Sequence, residues 1–252
     1  MENIVIGKNI VKVYGNGVEQ TKALNTVDIK IKKGEFVAVM GPSGSGKSTL
    51  LFALSGMDDI SGGSVKFGDT ELSKLRENEL ADVRRTKMGF IFQQPTMLKN
   101  LNLLDNILLP AIGEGRKDTA ILGQRAKVLM KRTGINGLEN RDVTEVSGGQ
   151  LQRAGICRAL INAPEILFAD EPTGALNSKS AEEIMGLLVG INREGTSILL
   201  VTHDAKIAAC ADRILFMKDG KIDSELLLQK LGGKETGVRT EKILRQMATV
   251  GI

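Results

Sequence analysis

Aromatic side chains are scarce: 3% of the 252 residues, with one tyrosine, Tyr14, and no tryptophan. A groove that stacks successive bases of single-stranded nucleic acid has little to be built from, and no nucleic-acid partner is expected. Cysteine is nearly absent. Cys157 and Cys210 are too few and too far apart for a zinc cluster, do not suggest a disulfide framework, and read as small buried hydrophobes. The longest apolar runs, such as Ile198 to Val201, fall far short of the roughly 18 to 20 residues needed to cross a bilayer. The opening MENIVIGKNI lacks both a basic stretch and a long apolar core, so no secretory signal is read there and a soluble, cytoplasmic chain is expected. Neither sign of charge dominates: 34 Lys and Arg face 30 Asp and Glu, and the net charge of +4 singles out no partner. The 42% hydrophobic content suffices for one sizeable core, as a single α/β domain or two interleaved lobes.

Histidine occurs once, at His203 in TSILLVTHDA. An imidazole behind an apolar run either packs as a structural side chain or serves chemistry, and the ten residues alone leave both open. Elsewhere the chemistry is more explicit. FVAVM at 36–40 reads as a short buried strand, followed by GPSGSGKSTLLFALSG. Gly41, Gly46, Lys47 and Ser48 fit G-x-x-x-x-G-K-[ST], and Leu50, Leu51 and Leu54 continue the segment as a helix. In such a loop the glycines let backbone N–H groups turn inward around phosphate oxygens, and the positive end of the helix faces the same anion. Lys47 adds a point charge on the β- and γ-phosphates. The Ser48 hydroxyl is a hard oxygen donor suited to Mg²⁺. Candidate ligands of a nucleoside triphosphate are therefore Gly41, Ser43, Gly44, Ser45, Gly46, Lys47, Ser48 and Thr49.

A phosphate loop needs a second strand bearing carboxylates to complete the metal site, and EILFADE supplies it. Ile166 to Ala169 form an apolar run suited to a central parallel strand. Asp170 stands at its carboxyl end as a candidate metal ligand, and Glu171 follows as the candidate group that polarises the attacking water. Between the two motifs lies VSGGQLQRAGICRALI, whose Ser147-Gly148-Gly149-Gln150 turn opens a helical pattern. Such a turn offers a second anion site or a plain helix cap.

The order GPSGSGKST, a glutamine after the strand MGFIF, VSGGQ, ILFADE and VTHD closely resembles the nucleotide-binding subunits of ABC transporters, over about Ile4 to Ile222. The resemblance implies an α/β fold: a P-loop NTPase core of the RecA type with an antiparallel β-subdomain and an inserted α-helical subdomain. It implies an Mg²⁺-dependent ATPase, two copies meeting head to tail around ATP, and a membrane permease on a separate chain at the inner face of the cell membrane. Tyr14, at the end of NIVKVY, matches the aromatic that stacks on adenine; its alternative is packing at a strand edge. Gln93 matches the glutamine that reaches Mg²⁺ and moves with the permease, Gln94 being the poorer candidate. Ser147, Gly148, Gly149 and Gln150 match the signature that contacts the ATP held by the opposite subunit. His203 matches the histidine at the γ-phosphate that helps position Glu171 and the water. One position departs from the pattern: Asn177 stands in PTGALNSKS where most members have an aspartate that couples the two sites, so the amide keeps an acceptor but loses the charge.

Gly174 in ADEPTG, together with SGMDDISGGSVKFGD, GFIFQ and DNILLP, resembles the branch of macrolide exporters, lipoprotein-releasing complexes and antimicrobial-peptide resistance transporters. GALNSKS leans toward the peptide-resistance group. The alternative is a sensory or division-associated ABC ATPase that signals through a membrane complex without moving cargo. Strands are expected near 3–13, 25–31, 36–40, 63–67, 88–92, 166–170, 197–202 and 213–217, with a hairpin turn at KDGK, 218–221. The expected organisation is an ATP-binding core at 1–93 and 164–224, a helical subdomain at 94–163, and a tail at 225–252. In that tail LLLQKL and EKILRQMATV both read as short helices around a glycine hinge, packing on the core or touching a partner.

Overall fold

The computed structural model describes residues 2–15, 20–112, 119–228 and 236–251. In chain order, the first elements are β1 (Asn3–Tyr14), β2 (Thr21–Lys32), β3 (Phe36–Met40), α1 (Lys47–Leu54), β4 (Gly62–Phe67) and β5 (Thr70–Glu71). There follow α2 (Glu77–Lys87), β6 (Met88–Phe92), α3 (Leu103–Leu108), α4 (Thr119–Arg132), α5 (Gly148–Leu160), β7 (Ile166–Asp170) and α6 (Ser178–Arg193). The chain closes with β8 (Ser197–Val201), α7 (Ala205–Ala208), β9 (Arg213–Lys218), β10 (Lys221–Leu227) and α8 (Thr236–Val250). All the segments expected as strands are strands. The residues fall into two compact units, one of residues 1–81 and 192–252 and the other of 82–191.

In the first unit β2, β1, β4 and β5 form an antiparallel sheet in that order. The alternation of β2 explains its one-sided burial: Leu24, Val27, Ile29 and Ile31 are buried while their neighbours face out. The second sheet of this unit runs β10-β9-β3-β8, with β3 parallel to both β8 and β9. Every residue of FVAVM and of SILLV is buried, which is why these strands read as unbroken apolar runs and not as alternating ones. β9 turns into β10 through Asp219 and Gly220, both at positive φ (48° and 72°), the backbone a two-residue type I′ hairpin demands.

The tail differs from its sequence reading. Leu226 and Leu227 are not helical; they pair with Ile214 and Arg213 as the end of β10, because β9 offers its hydrogen-bonding edge and KIDSELL alternates in exposure. The rest of LLLQKL after Leu228, and the glycine hinge, lie outside the described residues. The second piece is helical as α8, and it packs on its own unit through buried Ile243 and Arg239. The Arg239 guanidinium donates from Nε to the Ala209 carbonyl at 2.7 Å and from Nη2 to the Ala211 carbonyl, just beyond the last turn of α7.

In the second unit β6 and β7 are parallel, with Phe90 beside Phe168 and Phe92 beside Asp170. The Phe90 and Phe168 rings stack at 5.7 Å. Between Gln94 and Ala163 the described residues hold helices and only a single isolated bridge, Asn102 to Asp142. Buried Asn106 organises the entry to this segment: its Oδ1 accepts from Leu98 N, and its Nδ2 faces the Leu98, Leu101 and Asn102 carbonyls. Cys157 is buried on α5, 3.1 Å from the Thr133 hydroxyl, and burial pushes its thiol up to about 11, so it stays protonated and packs as a small hydrophobe. Cys210 is half-buried.

Replacing Arg239 with methionine keeps the bulk of the side chain but removes both bonds to the Ala209 and Ala211 carbonyls. The expected loss is about 1–3 kcal/mol. In thermal denaturation this lowers Tm by about 2–4 °C per kcal/mol for a chain of this size; an unchanged Tm would show that the two carbonyls find other donors.

Candidate nucleotide-binding site

The first unit builds a phosphate cradle from β3, the loop after it, and α1. β3 ends at Met40, and a Cβ on Gly41 would stand 2.2 Å from the Met217 carbonyl oxygen of β9. At Gly46 the backbone is left-handed (φ 97°), and a Cβ would meet the Ala23 carbonyl of β2 at 2.4 Å. Both positions therefore admit only glycine. Gly46 caps α1 without a side chain and the first turn of the helix carries no acid, so its positive end is not neutralised locally. The Lys47 ammonium lies back over the loop and donates to the Gly41 and Pro42 carbonyls at 2.9 and 2.7 Å. Ser45 is buried, its Oγ without a hydrogen-bond partner, and its carbonyl accepts from Gly220 N at 3.1 Å. Ser43 and Gly44 are exposed; Ser48 and Thr49 are half-buried in the first turn of α1.

His203 joins the same edge. Its strand β8 runs parallel to β3, and Thr202 N donates to the Val39 carbonyl at 3.1 Å where the pairing ends. The next residue, His203, is exposed and not packed in the core. Asp204 follows and caps α7, its carboxylate accepting from Lys206 N at 2.7 Å.

Tyr14 closes β1 and keeps 43% of its surface exposed. Its hydroxyl donates to Asp58 Oδ2 at 2.6 Å, and the Lys12 ammonium sits 4.9 Å from its ring centroid. Burial first, then the bond to Asp58, push the phenol above its ordinary range. At Asp58 burial alone acts upward, but the bonds from Lys12 and Tyr14 and the Lys12 charge outweigh it and hold the carboxyl below the usual carboxylate range. The sequence reading did not single out Lys12 or Asp58. The available signal was the strand period, which puts Lys12 on the face of Tyr14 two residues away.

The second unit gathers the remaining candidates. Phe92 is in register with Asp170, so Gln93 and Glu171 both leave the carboxyl end of one strand pair. Glu171 is left-handed (φ 47°), a strained conformation for a side chain with a Cβ, and its carbonyl accepts from Gly174 N at 3.0 Å. Gly174 matters for Gln93: a Cβ there would stand 2.8 Å from Gln93 Nε2. Gln152, also missed on the sequence, is buried on α5 and donates to the Phe92 and Pro172 carbonyls at 3.0 and 2.7 Å, tying the two strand exits together. Ser147 and Gln150 form a reciprocal capping box at the start of α5, with Ser147 N to Gln150 Oε1 at 2.8 Å and Gln150 N to Ser147 Oγ at 3.3 Å. Gly148 and Gly149 lie inside that first turn. Asn177 accepts from Ser180 N at 2.9 Å through its side chain, a helix-capping contact at the start of α6 that an aspartate could make equally well.

Ser48, Gln93 and Asp170 offer hard oxygen donors of the kind Mg²⁺ takes. Among the described residues no cluster of three His, Cys, Asp or Glu side chains is suited to a metal.

The family model described as ABC transporter matches residues 24–174. The chain is 42% identical over 224 residues to the bacitracin export ATP-binding protein BceA of Halalkalibacterium halodurans, covering 88% of each. It is 43% identical over 220 residues to the macrolide export ATP-binding/permease protein MacB of Mannheimia succiniciproducens, covering 87% of this chain but spanning only about a third (34%) of that relative. Among solved structures it resembles the ATP-binding cassette MJ0796 in a dimeric post-hydrolysis state bound to ADP and Pi, at 40% identity and a TM-score of 0.84, over 90% of this chain and 100% of the other. The antiparallel sheet, the α/β core with its glycine loop and the helical insertion are thus those of an ABC ATPase, and the chain belongs to the ABC transporter family.

Proposed function

We propose that this ATPase drives a membrane permease carried on a separate chain, exporting or removing peptide antibiotics or related amphiphiles. ATPase activity of the ABC type is its family's chemistry. The observation that carries the nucleotide reading is the Lys47 ammonium lying within a loop whose two glycines have no room for a Cβ. The permease reading is supported by BceA, which this chain matches over most of both lengths. Among the described residues no helix is long and apolar enough to cross a membrane, which suits a subunit peripheral on the cytoplasmic face.

In this reading Lys47 exchanges its bonds to the Gly41 and Pro42 carbonyls for β- and γ-phosphate oxygens, while Ser43, Gly44, Ser45, Ser48 and Thr49 complete the cradle. Tyr14 stacks on the adenine. Ser48, Gln93 and Asp170 would hold Mg²⁺, whose charge offsets that on the phosphate oxygens. Glu171 takes a proton from the attacking water as its oxygen bonds the γ-phosphorus; the bond to the β-phosphate oxygen breaks, and ADP and phosphate leave. Glu171 acts from the strand end, where its backbone is left-handed, and His203 positions the carboxylate and the water. A second copy meets the first head to tail, its Ser147, Gly148, Gly149 and Gln150 facing the γ-phosphate; the capping box already orients that turn. The dimeric state described for the MJ0796 cassette supports this arrangement. Asn177, besides capping α6, stands in the loop through which the two sites communicate.

Two sets of variants test this. Glu171→Gln keeps ATP binding but slows hydrolysis by ~10²–10⁴-fold, and ATP then traps a dimer visible by size-exclusion chromatography; near-normal turnover would reject the base assignment. Lys47→Ala abolishes nucleotide binding in calorimetry, because it removes a charge that meets phosphates in the ground state.

His203→Ala separates chemistry from packing. Its exposure predicts an unchanged Tm and near-normal ATP affinity with strongly reduced turnover. A lowered Tm with normal turnover of the folded fraction would make the residue structural.

A further inference from the structure

Beside Tyr14 stand two charged residues, Lys12 and Asp58, to which the mechanism above assigns no work. Lys12 is a charged residue only 8% exposed on β1. A buried ammonium is costly unless it is paired, and this one is paired three ways: to Asp58 Oδ1 at 2.5 Å, to the Asp59 carbonyl at 2.6 Å, and to the face of the Tyr14 ring. Asp58 uses its second oxygen to accept from the Tyr14 hydroxyl at 2.6 Å. The result is a continuous chain of polar contacts from the phenol through the carboxylate to the buried ammonium.

The cluster is anchored at the exit of α1. Met57 N and Asp58 N donate to the Phe52 carbonyl at 2.9 and 3.3 Å, so Asp58 is placed by the exit of the helix whose entry holds Lys47. Ser61 locks the same segment to β1: its N donates to the Val11 carbonyl at 2.7 Å, and its Oγ accepts from Val13 N at 3.0 Å. One short helix thus sets the separation between the phosphate loop and the phenol. A tyrosine that is 43% exposed at a strand end would otherwise rotate freely, and immobilising it before a ligand arrives removes an ordering penalty from binding.

We propose that Asp58 and Lys12 are positioning residues for base recognition: they hold the Tyr14 ring in one orientation, with Lys12 on one face, as the platform on which the base of the nucleotide stacks. The inference rests on the reading of Tyr14 as the base-stacking residue. It adds to that reading a carboxylate and an ammonium that touch neither the base nor the phosphates and act only through the ring.

The test compares ATP with inorganic tripolyphosphate, which carries the phosphates without a base, by calorimetry on the full chain. Tyr14→Ala is expected to weaken ATP by about tenfold, within the range of one aromatic–base stack, and to leave tripolyphosphate within about twofold. Asp58→Ala is expected to weaken ATP by about three- to tenfold, again with tripolyphosphate unchanged. Tyr14→Phe keeps the ring but cuts its bond to Asp58, so a similar selective loss is expected; this variant carries the test if Asp58→Ala does not fold. Because Tyr14 is the only tyrosine and there is no tryptophan, its emission reports this ring alone. That emission should change in Asp58→Ala, and higher ATP concentrations should be needed to perturb it. If Tyr14→Ala weakens ATP but Asp58→Ala and Tyr14→Phe do not, the platform needs no tether and the proposal fails. Equal losses for ATP and tripolyphosphate in Asp58→Ala would also overturn it, since the residue would then be holding the phosphate loop. Unchanged ATP affinity in Tyr14→Ala would instead refute the stacking reading beneath it.

Discussion

A strand buried on both faces has to deliver its chain to polar surroundings within a residue or two, and β3 does so at Gly41. Met217 of β9 occupies the space a side chain would need there, Ala23 of β2 does the same at Gly46, and Gly220 of the β9–β10 hairpin holds the Ser45 carbonyl. The phosphate loop is therefore moulded by neighbours far away in sequence, and Lys47 is folded inward over the shape they leave. Parallel pairing with β8 brings the exit of His203 to the same edge, because parallel strands end together.

The second unit solves a related problem with a side chain instead of glycine. Its parallel pair ends at Phe92 and Asp170, and two exits with little backbone pairing of their own must be kept in place. Gln152 spans them from α5, the helix whose first turn carries the Ser147–Gln150 capping box. The signature turn and the strand exits bearing Gln93 and Glu171 are thus referred to a single helix. Gly174 completes the arrangement by leaving space for the Gln93 amide.

Buried cations hold the outlying parts of the first unit. Arg239 fixes α8 to the carbonyls just after α7, which itself follows His203 and is capped at its start by Asp204. Lys12 does the equivalent for the segment that follows α1. In both places a buried side chain's charged end satisfies carbonyls or a carboxylate, which makes each contact specific as well as cohesive.

The sequence by itself determined the family, the main strands and the identity of the phosphate loop. G-x-x-x-x-G-K-S, SGGQ and ILFADE owe their spacing to local requirements: a helix start, an anion-facing turn, a strand ending in acids. Unbroken apolar runs marked β3, β7 and β8 because strands covered on both faces need no alternation. Tertiary structure alone decided what depends on residues distant in the chain. Leu226 and Leu227 look helical in isolation and become strand because β9 presents an open edge. Lys12 and Asp58, 46 residues apart, resemble ordinary surface charges until β1 and the end of α1 bring them to 2.5 Å, where burial turns a solvated pair into a fixed support for Tyr14.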